Sequence, residues 1–150
     1  MKNLIYISSL VSLFALVILT SCDREPTEEL ESIIKEDLGY LPVISGFTLR
    51  SPAAAQVAPG STLTLDLRFW TEDQVSEIEL FAREGENEAV LVQTYPYQPA
   101  YSAISRTDSL LMSFQIPANA ADSAVYVFDA VVTNENTLSR TRSLSVTVLE

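Results

Sequence analysis

The stretch that decides the fold is Thr62–Trp70, with the sequence TLTLDLRFW. Its apolar residues occupy every second position: Leu63, Leu65, Leu67 and Phe69 alternate with Thr62, Thr64, Asp66 and Arg68. Because successive side chains of a β-strand point to opposite faces, this period of two predicts a strand with one apolar face and one face that can meet water. Strands of this kind build antiparallel sheets that cover a core on one side.

The same period of two recurs along the chain on both sides of this stretch. Clear strands are predicted at Ser109–Ile116, Val125–Val132 and Ser143–Val148, and weaker ones at Val43–Arg50, Val75–Arg83 and Ala89–Thr94. Segments rich in turn residues separate them, at 58–61, 83–87 and 117–119. Seven short strands with turns between them predict an all-β domain over residues 41–150, folded as a single antiparallel β-sandwich.

Four segments of this region are similar to the immunoglobulin-like domains of bacterial surface proteins, including relatives of fibronectin type III. They are Leu41–Phe47, Ala58–Leu65, Tyr126–Asn134 and Leu144–Val148. The resemblance implies an immunoglobulin-like sandwich of about seven strands, in which Tyr126 takes the place of a structural corner tyrosine. Many bacterial members carry an Asp followed by a Gly-Asn turn before the last strand. Here that turn is Asn134–Leu138, which weakens any analogy with a calcium site.

The N-terminus carries Lys2, an apolar run over 4–19, and Leu19-Thr20-Ser21-Cys22. This arrangement resembles the signal peptide and lipobox of bacterial lipoproteins. The resemblance implies that residues 1–21 are removed and that the mature chain begins at a lipid-modified Cys22, anchored to a membrane without spanning it. The alternative is a retained membrane-spanning helix with an ordinary Cys22 thiol, although the apolar run is short for a span.

Residues 22–40 form an acidic tether, with seven Asp and Glu among the first sixteen residues after the predicted cleavage. An acidic stretch after the lipidated cysteine is similar to the export signal of Bacteroidota surface lipoproteins, which implies the outer membrane and the cell surface. Asp23 directly after the cysteine resembles instead the inner-membrane retention signal of enterobacterial lipoproteins, and a domain facing the periplasm is a further alternative.

Within the tether, four apolar residues have helical spacing: Leu30, Ile33, Ile34 and Leu38. They predict a short amphipathic helix whose apolar stripe contacts the domain or a partner. At about three turns such a helix is marginal alone, so a mostly disordered spacer is the competing interpretation.

Composition excludes several functional classes. The formal net charge is −11, so nucleic acid and anionic lipid are poor partners for this surface. The chain has no His, and its one Cys is assigned to the anchor, so we predict no catalytic residues, no zinc site and no enzymatic activity. Acidic residues at 72–73 and 84–88 lack the spacing of a calcium loop, and no cofactor beyond the covalent lipid is expected.

The candidate contact residues are Tyr95, Tyr97 and Tyr101, which two prolines space along one connecting segment, together with Trp70. Stiff loops that display tyrosine make good contact surfaces, and aromatic rings also suit sugars. The competing interpretation is that these aromatics pack on the sandwich. Two functional hypotheses follow: a surface module that binds glycan or protein through these aromatics, and an accessory subunit that joins an envelope complex through a sheet edge or the apolar tether stripe.

Overall fold

The computed structural model describes residues 39–53 and 56–149. The chain divides into two compact units, Met1–Leu38 and Gly39–Glu150, and the described residues belong to the second. The predicted signal peptide, the anchor Cys22 and the tether stripe of Leu30, Ile33, Ile34 and Leu38 lie outside the described residues. Within the described ranges, no helix is long and apolar enough to cross a membrane.

The described chain is all-β and contains eight strands. They are β1 (Val43–Ser51), β2 (Gln56–Val57), β3 (Thr62–Trp70), β4 (Val75–Glu84), β5 (Val90–Tyr95), β6 (Asp108–Gln115), β7 (Val125–Asn134) and β8 (Ser139–Val148). Seven of them correspond to the predicted segments, and β3 has the predicted bounds. The eighth, β2, is only two residues long, which is too short for a periodic pattern to reveal.

The strands form two sheets, ordered β1-β3-β6 and β2-β8-β7-β4-β5. All pairs are antiparallel except β2 with β8. Among the seven longer strands, the chain changes sheet between β3 and β4, between β5 and β6, and between β6 and β7, as in immunoglobulin-like sandwiches. The short β2 adds two further changes, since it lies between β1 and β3 in sequence but joins the larger sheet. Two strands of the larger sheet have free edges: β5, and β8 over residues 139–146, since β2 pairs only with Thr147 and Val148.

The core lies between the two sheets and contains the apolar faces predicted from the alternation. Leu63, Leu65 and Leu67 of β3 and Phe128, Ala130 and Val132 of β7 are fully buried. Phe114 of β6 meets Phe128 across the sheets, with ring centroids 4.9 Å apart.

One residue departs from the predicted pattern. Asp66 belongs to the polar face of β3 but is buried. It lies in register with Thr48 and Leu111 and accepts hydrogen bonds from Arg68, which compensate part of the cost of burying a carboxylate.

Candidate functional site

The predicted contact residues lie at the end of the sandwich where β3 ends and β6 begins. Trp70 is the last residue of β3 and pairs with Val43, the first residue of β1. Both are exposed and occupy the outer face of the smaller sheet, since their neighbours Ile44 and Phe69 point into the core. The connection from β5 to β6, residues 96–107, starts and finishes at this end because Tyr95 pairs with Ile78 and Asp108 pairs with Phe69. We call Trp70 and residues 95–107 the aromatic end.

Asp108 holds the connection in place. Its side chain is buried and accepts two hydrogen bonds, from the Ala100 backbone N–H at 2.7 Å and from the Tyr97 hydroxyl at 3.3 Å. A bridge between Ser102 and Thr107 closes the tip of the loop. Because a carboxylate that accepts a backbone N–H fixes the chain that donates it, this loop presents its remaining side chains from a defined position.

The tyrosines of the aromatic end divide into two groups. Tyr97 packs edge-on against the core residue Phe69, with ring centroids 6.2 Å apart, and Tyr95 also packs on the core with its hydroxyl buried. Tyr101 and Trp70 are exposed, at 59% and 40%. Ile104 at the loop tip is exposed as well, a residue that sequence reasoning missed because a single apolar residue in a loop has no pattern. Tyr95 and Tyr97 thus position the loop, while Trp70, Tyr101 and Ile104 are available for contact.

The chain enters the domain at this same end, through a network of polar side chains. Asp73, between β3 and β4, accepts hydrogen bonds from the Tyr40 backbone N–H and from Asn136. Asn134, buried at the end of β7, donates to the Tyr40 carbonyl and to Thr71, both at 2.9 Å. Gly39 has a φ of 74°, and a Cβ there would approach Asn136 and Asp73 at 2.4 and 2.6 Å. A larger residue at this position would strain the backbone and displace the Asn136 and Asp73 side chains, so glycine is favoured there.

The turn from β7 to β8 completes this network. The residue with the left-handed backbone conformation is Thr137, with a φ of 68°, and not one of the asparagines of the predicted turn. Asn136 instead uses its side-chain oxygen to accept the Leu138 backbone N–H at 3.0 Å, an Asx-type contact that stabilises the turn. Asn136 thus serves the turn through its side chain, whereas the side chain of Asn134 bonds with Tyr40 and Thr71.

A cleft of about 680 Å³ lies beside the aromatic end, between the first residues of β1 and of β8. Its lining residues are Leu41, Pro42, Val43, Ile44, Ser139, Arg140, Thr141 and Arg142. Arg140 pairs with Val132 and Arg142 with Ala130, so both arginines occupy the phase that faces the core elsewhere on β8. We call this the arginine cleft. It joins the aromatic end through Val43, which lines the cleft and pairs with Trp70.

Sequence reasoning missed the arginine cleft because it began the last strand at Ser143. Residues 139–143 are SRTRS, in which neither phase is apolar, so the alternation was not visible. One signal was present: Arg140 and Arg142 continue, in steps of two, the series of Leu144, Val146 and Val148. Whether the side chains of that series pack in the core or line an open cleft depends on which strands of the opposite sheet lie across from them.

The two arginines of the cleft differ from the paired arginines of the domain. Arg68 forms an ion pair with Asp66 at 3.2 Å, and Arg83 forms one with Asp129 at 2.7 Å. Within residues 39–53 and 56–149, Arg140 and Arg142 have no carboxylate within ion-pair distance, and both are exposed. The cleft is therefore a local cationic region on an acidic protein.

Burial raises the pKa of two tyrosines. For Tyr97 the loss of solvent is the main cause, and the nearby Asp108 carboxylate adds to it. For Tyr126 burial again comes first, and the neighbouring Glu84 adds charge repulsion and a hydrogen bond. Both phenols keep their protons at neutral pH and act as hydrogen-bond donors.

Across the described part of the chain, no group of three or more His, Cys, Asp or Glu side chains is arranged to hold a metal ion.

No protein-family model and no curated protein matches this chain. Several solved structures are similar to it, among them the following three. The sporulation control protein Spo0M of Bacillus subtilis has a TM-score of 0.47 at 8% identity, over 74% of this chain and 50% of that protein, so this chain spans half the length of Spo0M. The sulfur carrier protein SoxY of Chlorobium limicola has a TM-score of 0.44 at 15% identity, over 83% and 99%. A Niemann-Pick type C2 protein of the Japanese carpenter ant has a TM-score of 0.40 at 11% identity, over 73% and 92%. At these identities and TM-scores, neither function nor partner transfers to this chain.

Proposed function

We propose that this chain is a non-catalytic binding module, attached to the outer membrane by lipid on Cys22 and exposed at the cell surface, which binds a glycan or a protein through its aromatic end. One observation supports the contact surface more than any other: Trp70 at the end of β3, and Tyr101 and Ile104 on the loop that Asp108 holds in place, are exposed at the same end of the sandwich. Exposed apolar groups collected on a fixed loop are typical of recognition surfaces.

Three neighbours enlarge this surface. Tyr40, Leu41 and Val43 are exposed at 39%, 49% and 48%, and Val43 adjoins Trp70 in the sheet. Covering such side chains with a ligand removes apolar area from water, which favours binding. Aromatic rings present a flat apolar face and a polar edge, which suits both sugar rings and protein side chains.

A second function is favoured by the position of Gly39 and Tyr40. The polypeptide joins the domain at the same end that carries the exposed apolar residues, through the hydrogen bonds of Tyr40 with Asp73 and Asn134. A ligand bound there lies next to Gly39 and Tyr40, the first described residues of the domain. This arrangement suits an accessory subunit that contacts an envelope protein.

Photo-cross-linking in intact cells tests both functions. A photoreactive phenylalanine analogue replaces Tyr101 in the full chain, and the same analogue at Leu111, half exposed on the outer face of β6, is the matched control. Adducts at Tyr101 that are absent at Leu111 are expected. A glycosidase-sensitive smear would identify a glycan, and a discrete band a protein. Equal adducts at both positions, or none, would contradict a ligand at the aromatic end.

Protease shaving of the same cells tests the location, with a periplasmic protein as the control for leakage. Loss of the domain signal is expected for a surface module. Protection combined with one discrete protein adduct at Tyr101 would favour the accessory subunit. A Cys22→Ala chain that still fractionates with membranes would contradict the lipid anchor.

A further inference from the structure

The arginine cleft carries an inference that depends neither on the aromatic end nor on the lipid anchor. We propose that the free edge of β8, residues 139–146, binds an extended segment of another protein that carries two acidic side chains two residues apart. The segment would lie in the arginine cleft as an added strand, with its acidic side chains on Arg140 and Arg142.

The first support is the unpaired backbone of β8. β7 pairs with one edge of β8 from Ser139 to Thr147. The short β2 pairs with the other edge of β8 only at Thr147 and Val148. In an antiparallel pair, half of the backbone N–H and C=O groups of a strand point away from its partner. Over 139–146 no described strand satisfies those groups. Over 139–142 they line the arginine cleft and are available to an extended chain, as in binding by strand addition.

The second support is the charge of the cleft. The domain is acidic, yet the wall of the cleft formed by β8 presents two arginines that have no ion pair among the described residues. Guanidinium groups pair with carboxylates through two parallel hydrogen bonds. The cleft therefore complements an acidic ligand.

The third support is spacing. Arg140 and Arg142 share one face of β8 and stand two residues apart, which is about 7 Å along a strand. Acidic residues at alternate positions of an added strand have the same separation and project to the same side. Adjacent acidic residues would point to opposite faces, so only one could reach an arginine.

Arginines at core-phase positions of an edge strand have another explanation. Inward-pointing charges protect free edges from unwanted pairing, because an approaching apolar strand would bury them. Protection and recognition are compatible, since a charge that rejects apolar and basic strands accepts an acidic one. The two accounts differ in what they predict for a peptide.

A peptide-binding titration distinguishes them. The probe is the blocked peptide Thr-Val-Glu-Val-Glu-Val-Thr, added to the isotope-labelled mature chain and followed by the amide signals of residues 139–146. The comparison peptides replace both glutamates by lysine, replace both by glutamine, or keep the composition with the glutamates adjacent. We expect saturable shifts at 139–146 with the first peptide, and binding at least about tenfold weaker for the other three.

The matched variants carry equal changes of charge. Arg140→Gln with Arg142→Gln should weaken binding of the first peptide by about tenfold or more. Arg140→Gln alone should weaken it by about threefold or more, whereas Arg50→Gln, at an exposed arginine outside the cleft, should change it less than about twofold. Equal binding of the adjacent-glutamate peptide, equal weakening by Arg140→Gln and by Arg50→Gln, or shifts confined to other strands would overturn the proposal. So would absence of binding together with self-association of the Arg140→Gln, Arg142→Gln variant, which would leave protection of the edge as the role of the arginines.

Discussion

The two free edges of the larger sheet, β5 and β8, differ in every property that governs pairing with another chain. β5 has no charged residue and exposes Val90, Leu91 and Val92. Over 139–143, β8 is polar on both faces and carries Arg140 and Arg142. Free edges expose unsatisfied backbone groups and promote association unless something disfavours it. The same sheet therefore controls its edges in two ways, by irregular geometry on β5 and by charge on β8.

The geometry of β5 is visible in its register. Leu80 pairs with Gln93 but the next residue, Phe81, pairs with Leu91, so Val92 is an extra residue in the ladder. Such a bulge twists an edge and interrupts its regular hydrogen bonding. Behind it lies a slot of about 330 Å³ lined by Val90, Phe114 and Tyr126 among others. The slot exists because the smaller sheet has only three strands and ends at β6.

The largest expected effect concerns the turns that lead into the two edge strands. Asn134→Ala removes the donors to Tyr40 and Thr71 and loosens the wall of the arginine cleft, so the free energy of unfolding should fall by about 2 kcal/mol. Asn87→Ala, in the exposed turn before β5, should change it by less than about 0.5 kcal/mol. Urea unfolding measures both, and equal effects would mean that the two turns are not energetically different.

A second prediction makes β8 resemble β5. Arg140→Val with Arg142→Val removes the charges from the edge without adding a bulge, so self-association should strengthen by about tenfold, or roughly 1.4 kcal/mol. Sedimentation velocity measures it, with Arg50→Val as the control at an exposed arginine outside the cleft. Adding Leu91→Lys to this variant should leave its self-association unchanged. If Leu91→Lys abolished the self-association, the contact would lie at β5 instead.

The smallest expected effect is on pH dependence at the slot beside β5. The pKa of Tyr126 is raised above the ordinary tyrosine value by burial and by Glu84. Below about pH 10 both the folded and the unfolded chain keep this proton, so stability is unaffected. Above about pH 10 the Tyr126 phenol loses its proton in the unfolded chain before it does so in the folded chain. The free energy of unfolding therefore falls until the pH passes the raised pKa of Tyr126 in the folded state. Tyr126→Phe should make the alkaline decline shallower, whereas Tyr101→Phe, at an exposed residue, should not. Equal slopes for the two variants would contradict the assignment.

Much of the domain could be predicted because strand formation leaves a local pattern. The alternation of Leu63, Leu65 and Leu67 identified both the strand and its buried face, and the same held for Phe128 and Val132 of β7. Trp70 continues the phase of Asp66 and Arg68 and is exposed on the outer face of the smaller sheet. The tyrosines were harder, because their segment has no period: Tyr97 packs on Phe69 and bonds with Asp108, a residue eleven positions away, whereas Tyr101 is exposed.

By itself, the sequence determined the class of the domain, the seven longer strands and which side of most of them is buried, because backbone geometry imposes a period of two wherever a strand covers a core. It also carries the predictions for Cys22 and the acidic tether, which concern residues 22–40. Only the tertiary structure decided which strands end at a free edge and what lies opposite them. Arg140 and Arg142 continue the buried series of β8 but face a cleft, because the opposite sheet is narrower and strand order depends on pairing between distant segments.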